Sequence, residues 1–220
     1  MSLLFFYYTF GLPWSLPRLF DDPTLVGYAR RPFADGPGML RLAPHSTPET
    51  DAEGVRDVAL AVDMETGYML EGVVPGAIAM RLQLPHRFEV SSRVHLLSDV
   101  LDPAHPLAAA ATTHLAYRFA QGSRFDFRTG VGMRLFALDD VRMGIDFVHA
   151  FDIYIARHFV WRVELHAGNA DRAFVGQARS TLGAMVGPCE LYAGYDHTAY
   201  LGDGTRATLG GPVGGVRAWF

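Results

Sequence analysis

Lysine is missing from this chain: all 19 basic residues are arginine. The compact, flexible ammonium is thereby excluded as an ion-pair partner, and every fixed cation is a planar guanidinium that stays charged and pairs carboxylates two-pronged. Cysteine is nearly missing too. Cys189 stands alone, which excludes an intrachain disulfide and any Cys-rich metal motif. No Cys lies near the N-terminus, so a bacterial lipid anchor is not indicated. No segment carries the roughly 18 consecutive apolar residues of a membrane-spanning helix. The start, MSLLFFYYTFGLPWSLPRLF, lacks the basic opening of a secretory signal and is broken by Pro13 and Pro17. A net charge of −4 gives no case for nucleic acid as a partner. No Gly-rich phosphate loop follows a strand and opens a helix, so nucleotide binding has no support. His95, His114, His158 and His166 lack metal-ligand spacing, and a metal would need cross-strand geometry to hold it. Neither metal nor cofactor is expected.

What is present is alternation. In RFDFRTGVGMRLFAL (124–138), Phe125, Phe127, Thr129, Val131, Met133, Leu135 and Ala137 share one parity, while Arg124, Asp126, Arg128, Gly130, Gly132 and Arg134 share the other. Period two is that of a β-strand, whose successive side chains point to opposite faces. Nine further segments follow the same rule: 55–66, 76–84, 87–98, 112–121, 141–155, 159–168, 173–187, 190–201 and 207–220. Short turns are expected at Pro85-His86, Gly122-Ser123, Arg157-His158 and Pro188-Cys189, with further turns at Asp139-Asp140 and Gly202-Asp203-Gly204-Thr205 and a longer loop over 99–111. Residues 1–54 differ. They hold seven of the thirteen prolines, an aromatic cluster (Phe5, Phe6, Tyr7, Tyr8, Phe10, Trp14, Phe20) and a polar linker at 45–54. The chain therefore divides into a Pro- and aromatic-rich N-terminal extension, 1–54, and a barrel domain, 55–220. The extension is expected to pack on the barrel mouth or the membrane interface, where aromatics are favoured, or to dock a protein partner.

The apolar faces collect almost no charge, with His149 and His197 as the main exceptions. The opposite faces gather arginines and acids, Asp57, Arg87, Asp63, Glu65, Asp152, Glu190 and Arg217 among them. An inward-facing lumen network is expected from Arg81, Glu89, Arg93, Arg118, Asp126, Arg128, Arg134, Arg142, Asp146, Arg162, Glu164, Arg179 and Asp196. Glycines on the same faces (Gly130, Gly132, Gly144, Gly211, Gly215) give room in a narrow interior. A soluble barrel or sandwich binding a hydrophobic ligand would bury the apolar faces instead. Three features favour lipid outside: broad aromatic-rich apolar faces, strands longer than the usual 5–6 residues, and turns alternating between short and longer. The fold expected is an all-β antiparallel transmembrane β-barrel of ten strands, with eight as the alternative.

The ending GGVRAWF closes an alternating strand on an aromatic residue and resembles the C-terminal signature of small bacterial outer-membrane β-barrel proteins. That resemblance implies a Gram-negative outer membrane as the location and outer-membrane lipid as the surroundings. It also implies Phe220 as an assembly signal presented to the barrel-assembly machinery. An export signal is then expected, either removed before this numbering begins or left as an atypical remnant. The expected role is a structural scaffold or a subunit of an envelope assembly, its lumen plugged by Arg–carboxylate pairs. Barrel enzymes are the rival. Lipid A deacylases use a His–Ser pair with an acid on the lipid side; here His149 faces outward with no Ser two residues on, and Ser180 is also outward. The omptin-like proteases pair Asp with His near the rim, and Asp196-His197 is a faint echo of that. No residue is assigned as catalytic.

Overall fold

The computed structural model describes residues 12–34, 36–42, 55–99, 108–137, 141–171, 173–202 and 205–220. The aromatic residues Phe5 to Phe10, the 45–54 linker, the Asp139-Asp140 turn and most of the 99–111 loop lie outside that set. Among the described residues, ten of thirteen strands close into one antiparallel barrel: β4 (Ala59–Gly67), β5 (Val73–Gln83), β6 (Phe88–Asp99), β7 (Ala108–Gly122), β8 (Phe125–Ala137), β9 (Val141–Ala156), β10 (Phe159–Ala170), β11 (Ala173–Val186), β12 (Cys189–Gly202) and β13 (Thr205–Trp219). Each pairs with its sequence neighbours. The ring closes where β13 meets β4, with Val213 opposite Gly67 and Trp219 opposite Ala61. Closure leaves no unpaired edge, so the ladder has no open side.

Alternation sorts the two faces. Asp146, Asp152 and Glu190 are fully buried inside, whereas Met64 is 65% exposed and Phe147 is 58% exposed on the outer wall. One interruption occurs in β7, where Phe119 bulges between Arg118 and Ala120, so that two residues oppose one of β8. The chain turns tightly at one end of the barrel. Pro85–Arg87 forms a 3-10 turn, with His86 and Arg87 at positive φ, and His158 and Gly187 adopt the same left-handed region at their turns.

Strand limits differ from the sequence reading in a physically consistent way. The first barrel strand starts at Ala59, because Val55–Arg56 (β3) pairs elsewhere. Asp57 is therefore exposed ahead of the barrel rather than on its charged face. Arg87 belongs to the 3-10 turn and donates to both Asp21 carboxylate oxygens, at 3.1 and 3.0 Å. β7 begins at Ala108, which shortens the preceding loop.

The N-terminal segment packs against the short-turn end. β1 (Leu25–Ala29) pairs with β2 (Leu40–Leu42) on one side and β3 on the other. From this small sheet and its flank Leu25, Tyr28, Met39 and Leu40 join Ala59, Ala61, Tyr154, Val160, Met185 and Trp219 in one apolar cluster, with Phe33 against it. Polar contacts pin the seal: the Asp22 N–H donates to Gln121 O at 2.8 Å, the Gln121 N–H to Asp21 Oδ1 at 2.8 Å, and the Tyr28 hydroxyl to Leu84 O at 2.9 Å. Gln121 Nε2 also donates to Leu25 O. Thr24 donates to Asp22 from its hydroxyl and its backbone N–H, which holds that carboxyl below the usual range. The helix α1 (Leu12–Arg18) lies on the outer wall instead, with the Trp14 ring 4.9 Å from Phe119 and 5.6 Å from His149.

Gly132 marks a close approach between β7 and β8. A Cβ there would run into the Thr113 carbonyl oxygen and fall 2.6 Å from His114 Cδ2. Gly132→Val is expected to destabilise the barrel by about 1–3 kcal/mol through overpacking. Urea unfolding followed by tryptophan fluorescence measures it, and an unchanged midpoint would mean that the strand pair parts without penalty.

Candidate functional site

The interior of the barrel holds the polar chemistry. Among the described residues seven arginines are buried (Arg81, Arg118, Arg128, Arg134, Arg162, Arg179, Arg217), and so are seven carboxylates (Asp63, Glu89, Asp126, Asp146, Asp152, Glu190, Asp196). An isolated buried ion costs several kcal/mol, so near-equality of the two signs is what such an interior requires.

The pairs span the lumen. Arg81 on β5 donates to Asp152 on β9 at 2.9 Å and to Glu164 on β10 at 3.1 Å, and lies 3.5 Å from Glu89. Arg128 on β8 contacts Glu89 and Asp152 at 3.1 Å each and Glu164 at 3.7 Å. Arg93 reaches Glu164 at 3.5 Å. Arg162 grips Glu190 in a fork, and Arg217 does the same to Asp63. Arg179 forks onto Glu65 and lies 3.4 Å from Asp196, which also accepts from Gln177 Nε2 at 3.0 and 2.9 Å. Nearest the N-terminal seal, Arg118 sits 4.0 Å from Asp126, donates to Leu84 O at 3.2 Å and lies over the Tyr28 ring at 4.7 Å.

A second cluster lies further from the seal. Asp146 Oδ2 faces His114 Nε2 at 2.8 Å and His166 Nδ1 at 2.9 Å. Arg134 holds Oδ1 through Nε at 3.2 Å and Nη2 at 3.0 Å, and Nη2 also reaches Oδ2 at 3.1 Å. The imidazole rings stand 5.2 Å apart, centroid to centroid. A cavity of about 50 Å³ opens beside them, lined by His95, Thr112, His114, His166, Gln177 and the Arg and Glu side chains of the neighbouring pairs.

Of the thirteen residues expected to line the lumen, twelve meet in these contacts. Arg142 does not: it keeps the inward parity but stands exposed near the start of β9, because parity fixes the face of a strand and not the depth along it. Asp63, Glu65, Asp152, Glu190 and Arg217 make some of the closest pairs, and their alternation with apolar neighbours is the sequence signal for them. The His114–Asp146–His166 convergence has no local signal, since its members come from β7, β9 and β10.

The residues considered for enzymatic roles do not converge. His149 lies opposite Leu165 and Ser180 opposite Val163, so β10 runs between them, and Ser180 accepts from Trp161 Nε1 at 3.0 Å. Asp196 points inward while His197 is exposed on the outer face of β12. Phe220 is exposed beyond β13, its N–H donating to Leu60 O at 2.9 Å.

No family model matches the chain, and no curated protein does. Among solved structures the chain is similar to the N-terminal β-barrel domain of Pseudomonas aeruginosa OprF, at 10% identity with a TM-score of 0.36, over 74% of this chain and 97% of that one.

Proposed function

We propose that this chain is an outer-membrane β-barrel that acts as a structural scaffold or envelope-assembly subunit, with a lumen plugged by charge pairs and not open to solutes. One observation carries the reading: the barrel is inverted relative to a soluble one. Seven arginines and seven carboxylates are buried inside it, and its outer wall presents Met64, Ile78, Met133, Phe147, Leu182 and Leu191, each more than half exposed. An apolar belt of that extent, spread around the ring, is far beyond what a soluble monomer shows. Strands of nine to sixteen residues are long enough to cross hydrocarbon, which needs about 9–11 tilted residues. A closed barrel is also the β-structure that satisfies its backbone there. The same inversion counts against a soluble barrel with a greasy pocket.

The plugging half of the reading is supported by the cross-lumen pairs and by the N-terminal seal. A ten-stranded barrel has a narrow interior, and here guanidinium–carboxylate bridges fill it. In this reading the N-terminal segment is a stopper on the short-turn side, and its outward face, with Val26 exposed, is where a protein partner would sit.

Refolded into detergent and run without boiling, the protein is expected to migrate as a folded, heat-modifiable band and to give no stable conductance in planar bilayers. A protein that is monomeric and soluble without detergent would overturn the membrane assignment, and nanosiemens steps would overturn the plug. Phe147→Arg, on the outer wall, is expected to lose about 2–4 kcal/mol of folding free energy in lipid vesicles, measured by urea titration. Arg128→Met leaves Glu89, Asp152 and Glu164 short of a shared cation. A loss of about 3–5 kcal/mol is expected in the same titration.

A further inference from the structure

We infer that His114, Asp146 and His166 form a binding site for a divalent first-row transition ion of about the size of Zn²⁺, inside the barrel wall. Three potential ligand atoms, His114 Nε2, His166 Nδ1 and Asp146 Oδ2, lie within 4.8 Å of one another. His114 and Asp146 are almost wholly buried, and the His166 side chain is nearly so. Two imidazoles with one carboxylate are a donor set suited to such an ion, with zinc–nitrogen and zinc–oxygen bonds of about 2.0–2.2 Å.

Two of the three donor separations need little change. Ligand atoms around a four-coordinate ion at those bond lengths stand about 3.4 Å apart. The two His–Asp separations, 2.8 and 2.9 Å, therefore widen by about half an ångström on binding. Each imidazole carries its proton on the other ring nitrogen when the ion is bound, and the lone pair so freed faces the ion. No bond to carbon changes and no electron is transferred. The cavity beside the rings, at about 50 Å³, has space for a water as the fourth ligand.

The surroundings support a site and not merely three residues that touch. In register, His114 lies opposite Gly132, Gly132 opposite Asp146, and Asp146 opposite Gly168. A Cβ on Gly132 would meet His114 Cδ2 at 2.6 Å, and one on Gly168 would meet Asp146 Oδ1 at 2.7 Å. Both neighbours of Asp146 in the row thus lack the atom that would crowd its carboxylate or the facing ring. Arg134 donates to both oxygens of Asp146, to Oδ1 from Nε and Nη2 at 3.2 and 3.0 Å and to Oδ2 from Nη2 at 3.1 Å; the Oδ1 fork is the kind of outer contact that orients a ligating carboxylate, and the Nη2–Oδ2 bond is the one an ion displaces. Two rings converge on one oxygen of that carboxylate, so an ion placed between them reaches all three donors at once.

The test uses the refolded full chain in detergent with Co²⁺ as the probe. The expected result is the visible absorption of four-coordinate Co²⁺ at one equivalent, displaced by Zn²⁺, together with a raised Tm in Zn²⁺. His114→Ala and His166→Ala are each expected to lower Co²⁺ affinity by more than the about 10–100-fold typical of losing an outer contact. His197→Ala, on the outer wall, is expected to leave it unchanged. Heat-modifiable migration checks that each variant is folded; if an alanine variant fails that check, His166→Asn gives the same readout with less lost volume. A folded parent protein with no Co²⁺ absorption overturns the proposal, and so does absorption that survives loss of both His114 and His166 or disappears with His197. The site does not depend on where the barrel resides, so a negative result here leaves the membrane reading intact.

Discussion

In a closed ring of ten alternating strands, a side chain points either into the lumen or out through the wall. The outer wall here is apolar, so the charges of the strands turn inward, and the buried ones must neutralise one another. That requirement explains why single residues carry several partners. Arg128 serves Glu89, Asp152 and Glu164, while Asp152 meets Arg81, Arg128 and Arg162. Bridges such as Arg81 to Asp152 and Arg179 to Glu65 join strands that are not neighbours in the ring. They therefore act as chords across the barrel and set its cross-section, whereas the ladder bonds set only its circumference. Arginine suits this task better than lysine because a fork serves two carboxylates in a fixed plane.

The two ends of the cylinder face different problems. At the short-turn end an apolar layer of Tyr154, Val160, Met185 and Trp219 is covered by Leu25, Tyr28, Met39 and Leu40 of the N-terminal segment. Three strands of two to five residues are too few and too short to persist alone. The sheet is thus a product of the barrel mouth as much as a lid on it. Its hydrogen bonds to Gln121 and Leu84, and the Asp21–Arg87 pair, anchor it to elements of the barrel rim.

Period two is legible wherever a strand is held on both sides, and illegible where tertiary contacts decide. The run from Phe125 to Ala137 shows its faces directly in the sequence, as does β10, from Phe159 to Ala170, with Trp161 and Leu165 out and Arg162 in. Strand ends are less legible. Asp57 and Arg87 have the right parity, but the ladder starts two residues after Asp57 and one after Arg87. Ion-pair partners are beyond reach, because Arg81 and Asp152 are 71 residues apart and only closure of the ring brings them together. The N-terminal sheet has no periodicity to find: β1 is buried at four of its five positions, against the barrel mouth rather than across a two-faced wall.

The lumen solves the same electrostatic problem with two different partners, and the difference has chemical consequences. Near the seal, the buried carboxylates face guanidinium, which keeps its protons and has no lone pair to offer. At Asp146 one of the two oxygens is shared between two imidazoles and a guanidinium. Imidazole is a weaker partner for a carboxylate, since it need not be charged. As a device for neutralising Asp146 alone it is inferior to a second arginine. What two imidazoles provide and a guanidinium does not is a pair of ring nitrogens that face one point and present lone pairs to an ion once each proton sits on the other ring nitrogen. The glycines opposite Asp146 keep that point clear of Cβ atoms. Filling by charge pairs and accommodation of an ion are thus two outcomes of one rule: in a narrow polar interior, each side chain is constrained by what its inner neighbours leave unneutralised.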